Sequence, residues 1–321
     1  MPVRSLALPN TSDLREGDHA MELKDIQKIA VLGAGTMGPG IAQVYAMGGY
    51  EVAIWTRSEA TREKARASLS LSLDTFVEEG ELTREQADAA MNRVNFVLTV
   101  EEAVKDAQFI QETIVEKKEA KEELYAQLAE LVPAGVIIAS NTSALNIFEI
   151  VPEKLLPQQI ICHWYAPAQM IPLVEVVKAE QAPQEYAEIA VALLNGCGKT
   201  AVQMKKFIRG YIVNRLQQCL HREVFNLIDN GYCDAQAIDL ASKASWIPRA
   251  CVLGICKRID FGGVDMSANN YINKSYTMPE HGDELPQAMK ELVDQGVQVQ
   301  VGQLHLQRDH CASPPRQQIA V

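Results

Sequence analysis

A histidine and a glutamate stand twelve residues apart, each in an apolar stretch of the chain. His163 follows the run Ile160 to Cys162, and Glu175 interrupts the sequence Pro-Leu-Val-Glu-Val-Val. A buried carboxylate needs a partner, and an imidazole is an apt one. Paired with Glu175, His163 has its tautomer fixed and its cation stabilised, as a general base that removes a hydroxyl proton requires. A histidine at a strand end is also compatible with a purely structural role, so the spacing alone leaves both interpretations open.

A polar stretch, Ser140-Asn141-Thr142-Ser143, follows the apolar run Val136 to Ala139. It puts hydroxyl and amide groups at the carboxyl end of a predicted strand, where parallel sheets bind their ligands. Such residues are also ordinary turn formers. The stretch is therefore a candidate part of a ligand crevice.

A glycine motif, Gly33-Ala34-Gly35-Thr36-Met37-Gly38, lies between the apolar run Ile29 to Leu32 and a helical pattern from Met37 to Met47. The three glycines allow a tight turn, close approach of the backbone to a pyrophosphate, and close packing of helix on strand. The amino terminus of the helix then offers free N–H groups to the phosphates. The motif predicts a dinucleotide cradle, with a merely structural turn as the alternative.

The residues at the end of the second predicted strand indicate which nicotinamide cofactor binds, NAD(H) or NADP(H). An acidic residue at its end would bind the ribose hydroxyls of NAD, but here Trp55 is followed by Thr56, Arg57 and Ser58. A 2′-phosphate would meet a guanidinium and two hydroxyls rather than a repelling carboxylate. We therefore expect NADP(H), with NAD(H) as the alternative if Arg57 only stacks on the adenine.

Four motifs occur together and in order: the glycine motif, the Ser140–Ser143 stretch, the His163 to Glu175 spacing, and Gly210-Tyr-Ile-Val-Asn-Arg215. From about residue 27 to 270 the chain resembles the L-3-hydroxyacyl-CoA dehydrogenase family, including its lambda-crystallin and L-gulonate 3-dehydrogenase branch. The resemblance implies the following roles: Ser143 and Asn214 bind substrate, His163 is the catalytic base, Glu175 orients it, and Glu112, with Lys117 as a second candidate, lies at the nicotinamide side of the cofactor. Asn214 could instead only hold its helix in place.

Three departures from the family pattern bear on the substrate and on the fold. Thr56 occupies the acidic ribose position, and Ala166-Pro167 stands where the family has Asn-Pro, which removes a polar group beside the reacting carbon. The family closes on a Gly-Phe-Tyr segment, whereas the tail from about residue 297 reads differently. The basic residues Arg62, Lys64 and Arg66 are few for a CoA nucleotide, so a smaller carbonyl, hydroxy or imine substrate is favoured. Trp164 and Tyr165 could line its pocket or simply pack.

The elements that position these residues form an α/β pattern. Apolar runs at Glu51 to Trp55, Phe96 to Thr99, Phe109 to Thr113 and Leu173 to Val177 alternate with helical stretches such as Glu119 to Leu131. We predict a Rossmann-type doubly wound, mostly parallel sheet followed by an all-α C-terminal domain. The predicted segments are a flexible lead-in (1–24), a dinucleotide-binding domain (25–206) and a helical substrate and dimerisation domain (207–321).

Composition excludes several classes of partner. The 321 residues carry a net charge of −11, which disfavours nucleic acid and anionic membranes. No apolar run approaches the roughly 20 residues that span a bilayer. The seven cysteines form no close pair, so we expect reduced thiols, no metal site and a cytoplasmic protein.

These observations predict an NADP(H)-dependent oxidoreductase that transfers hydride between nicotinamide and a hydroxyl/carbonyl substrate with a His–Glu acid/base pair. The family resemblance also predicts a homodimer. Two alternatives stay open: an imine reductase or reductive aminase on the same scaffold, and a non-catalytic, crystallin-like cofactor-binding protein.

Overall fold

The computed structural model describes residues 21–273 and 285–294. Most of the predicted lead-in, and the whole of the predicted atypical tail from about residue 297, lie outside these residues. No helix in the described ranges is long and apolar enough to cross a membrane.

An eight-stranded sheet forms the centre of the described chain, in the order β3-β2-β1-β4-β5-β6-β7-β8. The strands are β1 (Lys28–Leu32), β2 (Glu51–Trp55), β3 (Val94–Val97), β4 (Phe109–Glu112), β5 (Ile137–Ser140), β6 (Gln159–Trp164), β7 (Leu173–Lys178) and β8 (Thr200–Gln203). The first six strands are parallel and follow the 3-2-1-4-5-6 order of dinucleotide-binding sheets. β7 runs antiparallel to β6, and β8 runs parallel to β7.

Helices connect the parallel strands and continue beyond the sheet. They are α1 (Gly38–Met47), α2 (Glu59–Glu78), α3 (Arg84–Asn92), α4 (Val100–Val104), α5 (Lys118–Leu131), α6 (Gln184–Gly196), α7 (Val213–Asp229), α8 (Ala235–Ala241), α9 (Ile247–Leu253), α10 (Ile255–Gly262), α11 (Val264–Ile272) and α12 (Gln287–Asp294). A π-helical turn, Ser242–Trp246, joins α8 to α9. The predicted α/β class, with a doubly wound sheet followed by helices, is confirmed.

Alternating side chains of each strand enter two separate apolar clusters. Ile29 and Val31 of β1 belong to one cluster with residues of α1 and α2, whereas Ala30 and Leu32 belong to another with residues of α4 and α5. Since successive residues of a strand point to opposite faces, the sheet is covered on both sides. Burial on both faces explains the continuous apolar runs in the sequence.

The chain divides into two compact units between Val213 and Asn214, a few residues beyond the boundary expected from the sequence. The first unit contains the sheet and its core. In the second unit, no residue from α8 to α10 is buried, and α7 likewise has none. The apolar residues of these helices therefore lack a core of their own within the described residues.

Candidate active site

The antiparallel hairpin of β6 and β7 brings His163 and Glu175 together. They are direct cross-strand partners in the register of the two strands, so their side chains lie on the same face of the sheet. The distance from His163 Nδ1 to Glu175 Oε2 is 3.0 Å, and both side chains are buried. Because a carboxylate only accepts hydrogen bonds, Nδ1 carries the proton, and Nε2 is the ring nitrogen that does not face the carboxylate.

The Glu175 carboxylate accepts four hydrogen bonds. Oε2 accepts from His163 and from the Tyr165 hydroxyl at 2.7 Å, and Oε1 accepts from the backbone N–H groups of Ile212 at 2.9 Å and Val213 at 3.2 Å. Burial acts to raise the pKa of Glu175, but these donors together outweigh it and hold the pKa below its usual value. The group that faces the imidazole is therefore a carboxylate with a full set of donors.

Two tyrosine rings enclose the imidazole. Tyr211 stacks on His163 with the ring centroids 4.4 Å apart, and Tyr165 meets it edge-on at 4.7 Å. The Tyr211 hydroxyl donates to the carbonyl oxygen of Thr142 at 2.6 Å, and the residue has a positive φ of 48°. Burial, followed by the nearby carboxylates, raises the pKa of Tyr211, so the hydroxyl stays a donor. The ring therefore links His163 to the loop that carries Ser143.

Two of the three glycines of the motif have no room for a side chain, and the third faces open space. A Cβ atom at Gly33, whose φ is 120°, would lie 2.7 Å from the Thr113 carbonyl oxygen, and one at Gly38 would collide with the Gly33 carbonyl. A Cβ at Gly35 would meet nothing within 4 Å. Gly35 lines a cavity of about 730 Å³ together with Gly33, Thr36 and Met37. An open space against exposed backbone at a helix amino terminus fits a bound pyrophosphate.

Of the three residues predicted to meet a 2′-phosphate, Arg57 lines this cavity. Thr56 is buried, and its hydroxyl lies 3.4 Å from the backbone carbonyl oxygens of Val97 and Ser58. Ser58 caps α2 by accepting from the N–H of Thr61 at 3.3 Å. Thr61 itself also lines the cavity. Among the described residues that line the cavity, Arg57 is the one with a basic side chain, and Glu116 and Glu123 are acidic.

Glu116, which the sequence analysis did not single out, joins the cavity to the Ser143 loop. Its Oε1 accepts from the Thr142 hydroxyl at 2.6 Å and from the N–H groups of Ser143 at 2.8 Å and Ala144 at 2.9 Å. Partial burial acts to raise the pKa of Glu116, but these bonds and the charge of Lys121 hold it below its usual value. Glu116 and Ser143 both line the cavity. Glu116 is the second glutamate of the stretch Glu112-Thr-Ile-Val-Glu116, and the family resemblance points only to the first.

That first glutamate, Glu112, is completely buried at the end of β4. It pairs with Lys121 of α5, whose ammonium lies 2.7 and 2.8 Å from the two carboxylate oxygens. The Ser140 hydroxyl donates to Oε2 of Glu112 at 2.5 Å. The predicted second candidate, Lys117, is exposed at the start of α5. Neither Glu112 nor Lys117 is among the residues that line the cavity, and their roles at the nicotinamide stay predictions.

Asn141 connects the cavity to the strand that carries His163. Its Nδ2 donates to the Thr113 hydroxyl at 3.2 Å, and its Oδ1 accepts from the N–H of Trp164 at 2.8 Å. Asn141 also lines the cavity. A ligand in the cavity is therefore bounded by a side chain that contacts the residue next to His163.

Asn214 lies in the first turn of α7 and is the first residue of the second unit. Its side chain is half-buried. The predicted contact of Asn214 with substrate, like that of Ser143, stays a prediction.

Comparison with known proteins identifies relatives of this chain. Residues 28–207 match the model of the 3-hydroxyacyl-CoA dehydrogenase NAD-binding domain. The chain is 34% identical over 220 residues to a probable 3-hydroxybutyryl-CoA dehydrogenase of Bacillus subtilis, covering 68% of this chain and 76% of that protein. It is 31% identical over 217 residues to an L-carnitine dehydrogenase of Streptomyces griseus, covering 67% of this chain and 64% of that protein.

A solved structure has the same fold over most of the chain. The crystal structure of 5-formyl-3-hydroxy-2-methylpyridine 4-carboxylic acid 5-dehydrogenase, described as an NAD+-dependent dismutase, gives a TM-score of 0.73 at 25% identity. The matched region covers 84% of this chain and 87% of the other protein's chain.

Proposed function

The chain belongs to the 3-hydroxyacyl-CoA dehydrogenase family, and we propose that it is an NADP(H)-dependent oxidoreductase acting on a hydroxyl/carbonyl pair. The observation that carries this proposal is the buried His163–Glu175 pair. Its histidine is followed by Trp164, whose N–H binds Asn141 in the wall of the cavity at the glycine motif. When bound, the nicotinamide supplies or accepts the hydride. The residues of this chain provide the proton transfer and the positioning.

In the reducing direction, protonated His163 donates its Nε2 proton to the oxygen of the carbonyl as that oxygen gains electrons. In the oxidising direction, the neutral imidazole removes the proton from the hydroxyl. Glu175 stabilises the imidazolium through Nδ1 and keeps the ring in one tautomer. We propose that Ser143 holds the substrate oxygen, since Glu116 fixes its backbone beside the cavity.

We propose that NADP(H) is preferred over NAD(H) because of Arg57. The guanidinium lines the cavity beyond the end of β2, where an acidic side chain would exclude a 2′-phosphate. Thr56 contributes only by carrying no negative charge that would repel the phosphate. Its buried hydroxyl lies beside backbone carbonyl oxygens and is not directed to a ligand by any hydrogen bond that the structure shows. Thr61, which lines the same wall, is a further hydroxyl for the phosphate.

A small substrate rather than a CoA thioester is favoured by the state of the basic residues on α2. Arg62 pairs with Glu59 at 2.5 Å, and the guanidinium of Arg66 lies over the ring of Phe96, 4.9 Å from its centroid. Two of the three cations that could bind a CoA nucleotide are thus already in contact with other groups of the same unit. We propose a small keto acid or hydroxy acid as the substrate class, with a cyclic imine as the substrate of the alternative imine reductase.

We also propose that the protein is a homodimer. The helices of the second unit expose apolar residues, among them Leu216 and Leu220, one turn apart on α7. A second copy of the chain presents the same apolar faces, which a symmetric interface would cover.

The test is a turnover assay of the purified protein with NADPH or NADH against 3-oxoacyl-CoA thioesters, β-keto acids, sugar acids and cyclic imines. We expect His163→Ala to lower kcat for a ketone by about 100-fold or more. His221→Ala, a histidine on the exposed surface of α7, is the matched control and leaves kcat unchanged. Turnover of a preformed iminium that survives His163→Ala would indicate the imine reductase instead. Binding of the cofactor without turnover of any class would indicate the non-catalytic alternative and refute the proposal.

A further inference from the structure

We propose that Tyr165 is a positioning residue that sets the pH at which His163 gains its proton, by competing with the imidazole for the same oxygen of Glu175. This inference rests on the proposed acid–base role of His163. It concerns a hydroxyl that the mechanism above does not require.

The geometry shows the competition directly. Glu175 Oε2 lies 3.0 Å from His163 Nδ1 and 2.7 Å from the Tyr165 hydroxyl oxygen. Both donors draw on the negative charge of one oxygen atom in a buried carboxylate. Each distance is the usual one for its kind of donor, so both are full hydrogen bonds. The imidazole therefore shares the charge of Oε2 with the tyrosine hydroxyl.

The other oxygen of Glu175 cannot relieve this competition. Oε1 is held by the backbone N–H groups of Ile212 and Val213, whose positions are fixed at the start of α7. The carboxylate therefore cannot rotate to offer His163 an unshared oxygen without losing those bonds.

The other ionisable groups around the imidazole come from three directions. Tyr211 stacks on the ring, but its hydroxyl is committed to the Thr142 carbonyl. Glu116 and Glu112, whose charges help to raise the pKa of Tyr211, are themselves bound to Lys121. On the side of β6, the Lys199 ammonium lies over Trp164, 5.7 Å from the ring centroid, and donates to the carbonyl of Ala168.

Two single-atom deletions around the same ring separate this effect from general packing. Tyr165→Phe removes the hydroxyl on Glu175, and Tyr211→Phe removes the hydroxyl on Thr142, while both keep an aromatic ring against the imidazole. The charge of Oε2 then faces His163 alone only in Tyr165→Phe. That variant stabilises the imidazolium more strongly than the native protein does.

The experiment is an NMR titration of the full chain labelled in its histidine rings, with the His163 signal assigned by its loss in His163→Gln. In Tyr165→Phe the midpoint of the His163 titration should move to higher pH by about half a unit or more, the size expected for losing one donor to a buried carboxylate. In Tyr211→Phe it should stay at the native value. An unmoved or lowered midpoint in Tyr165→Phe, or an equal shift in both variants, overturns the inference.

The titration needs no substrate, so its result is separable from the proposed function. Should the protein turn nothing over while the midpoint still moves in Tyr165→Phe alone, the oxidoreductase proposal fails and the competition at Glu175 stands. Where turnover is found, the acid limb of kcat/KM for oxidation should move to higher pH in parallel in Tyr165→Phe.

Discussion

The proposed preference for NADP(H) depends on Arg57. This side chain lines the cavity, whereas the two hydroxyl residues beside it are buried or cap a helix. Arg57→Ala should remove a charge-assisted contact of about 2 kcal/mol, so kcat/KM for NADPH falls about 30-fold. The value for NADH should change little, and steady-state kinetics with each cofactor measures both.

Arg62→Ala supplies the control for that measurement, because Arg62 lies five residues further along the chain, near the start of α2, and its guanidinium pairs with Glu59. An equal loss with NADPH and NADH in Arg57→Ala would mean that Arg57 stacks on the adenine, which both cofactors share, and would contradict the preference for NADP(H).

The pairing of His163 with Glu175 followed from their residue types and strand positions alone, and the structure brings the two together. The same reasoning could not find Glu116. Both glutamates of Glu-Thr-Ile-Val-Glu are compatible with the cofactor side of the sheet, and only the turn after β4 decides that Glu112 is buried while Glu116 reaches the cavity. The burial of Lys121 could not be predicted from the sequence either, because it depends on contacts with one carboxylate from β4 and another from the loop before α5.

At the scale of elements, the buried pair of Lys121 and Glu112 joins α5 to β4. Both side chains are at most 1% exposed. Removing one partner of such a pair leaves a buried charge, so Lys121→Met should lower the free energy of unfolding by about 3 kcal/mol, as urea denaturation would measure. A second substitution that also removes the carboxylate, Glu112→Leu, should recover part of the loss.

The matched control is Lys118→Met, at the first residue of the same helix. Lys118 forms an exposed pair with Glu122 at 3.5 Å, which is worth at most about 0.5 kcal/mol. Equal losses in Lys118→Met and Lys121→Met would show that the buried pair does not stabilise the joint between helix and sheet.

Element boundaries followed the apolar runs where burial on both faces made those runs continuous. β2 has the predicted bounds, whereas β3 begins at Val94, two residues before the predicted run Phe96 to Thr99. β8 went unpredicted because its four residues are exposed or half-buried and carry no strand pattern of their own. The antiparallel direction of β7 could not be predicted from the sequence either, because the eight residues between β6 and β7 contain no motif typical of a hairpin turn.

At the scale of the whole molecule, the exposed apolar helices of the second unit predict association. We expect sedimentation equilibrium to give about twice the 35.4 kDa of the chain. Leu220→Glu puts a charge on the apolar face of α7 and should yield monomers, because an unpaired charge in an apolar interface is strongly unfavourable.

Leu71→Glu is the control for that measurement, since Leu71 is 69% exposed on α2 of the first unit. It should leave the mass unchanged. A native mass of one chain at micromolar concentration would refute the homodimer.

The hairpin of β6 and β7 has a consequence for how this protein can diverge. Parallel strands bring together functional groups from segments far apart in a gene, but here both partners of the proposed acid–base pair are encoded between Gln159 and Lys178. Insertions or recombination elsewhere leave that short segment whole. Related chains can therefore differ in their cofactor-binding and substrate-binding residues while keeping the proposed proton-transfer pair together in one hairpin.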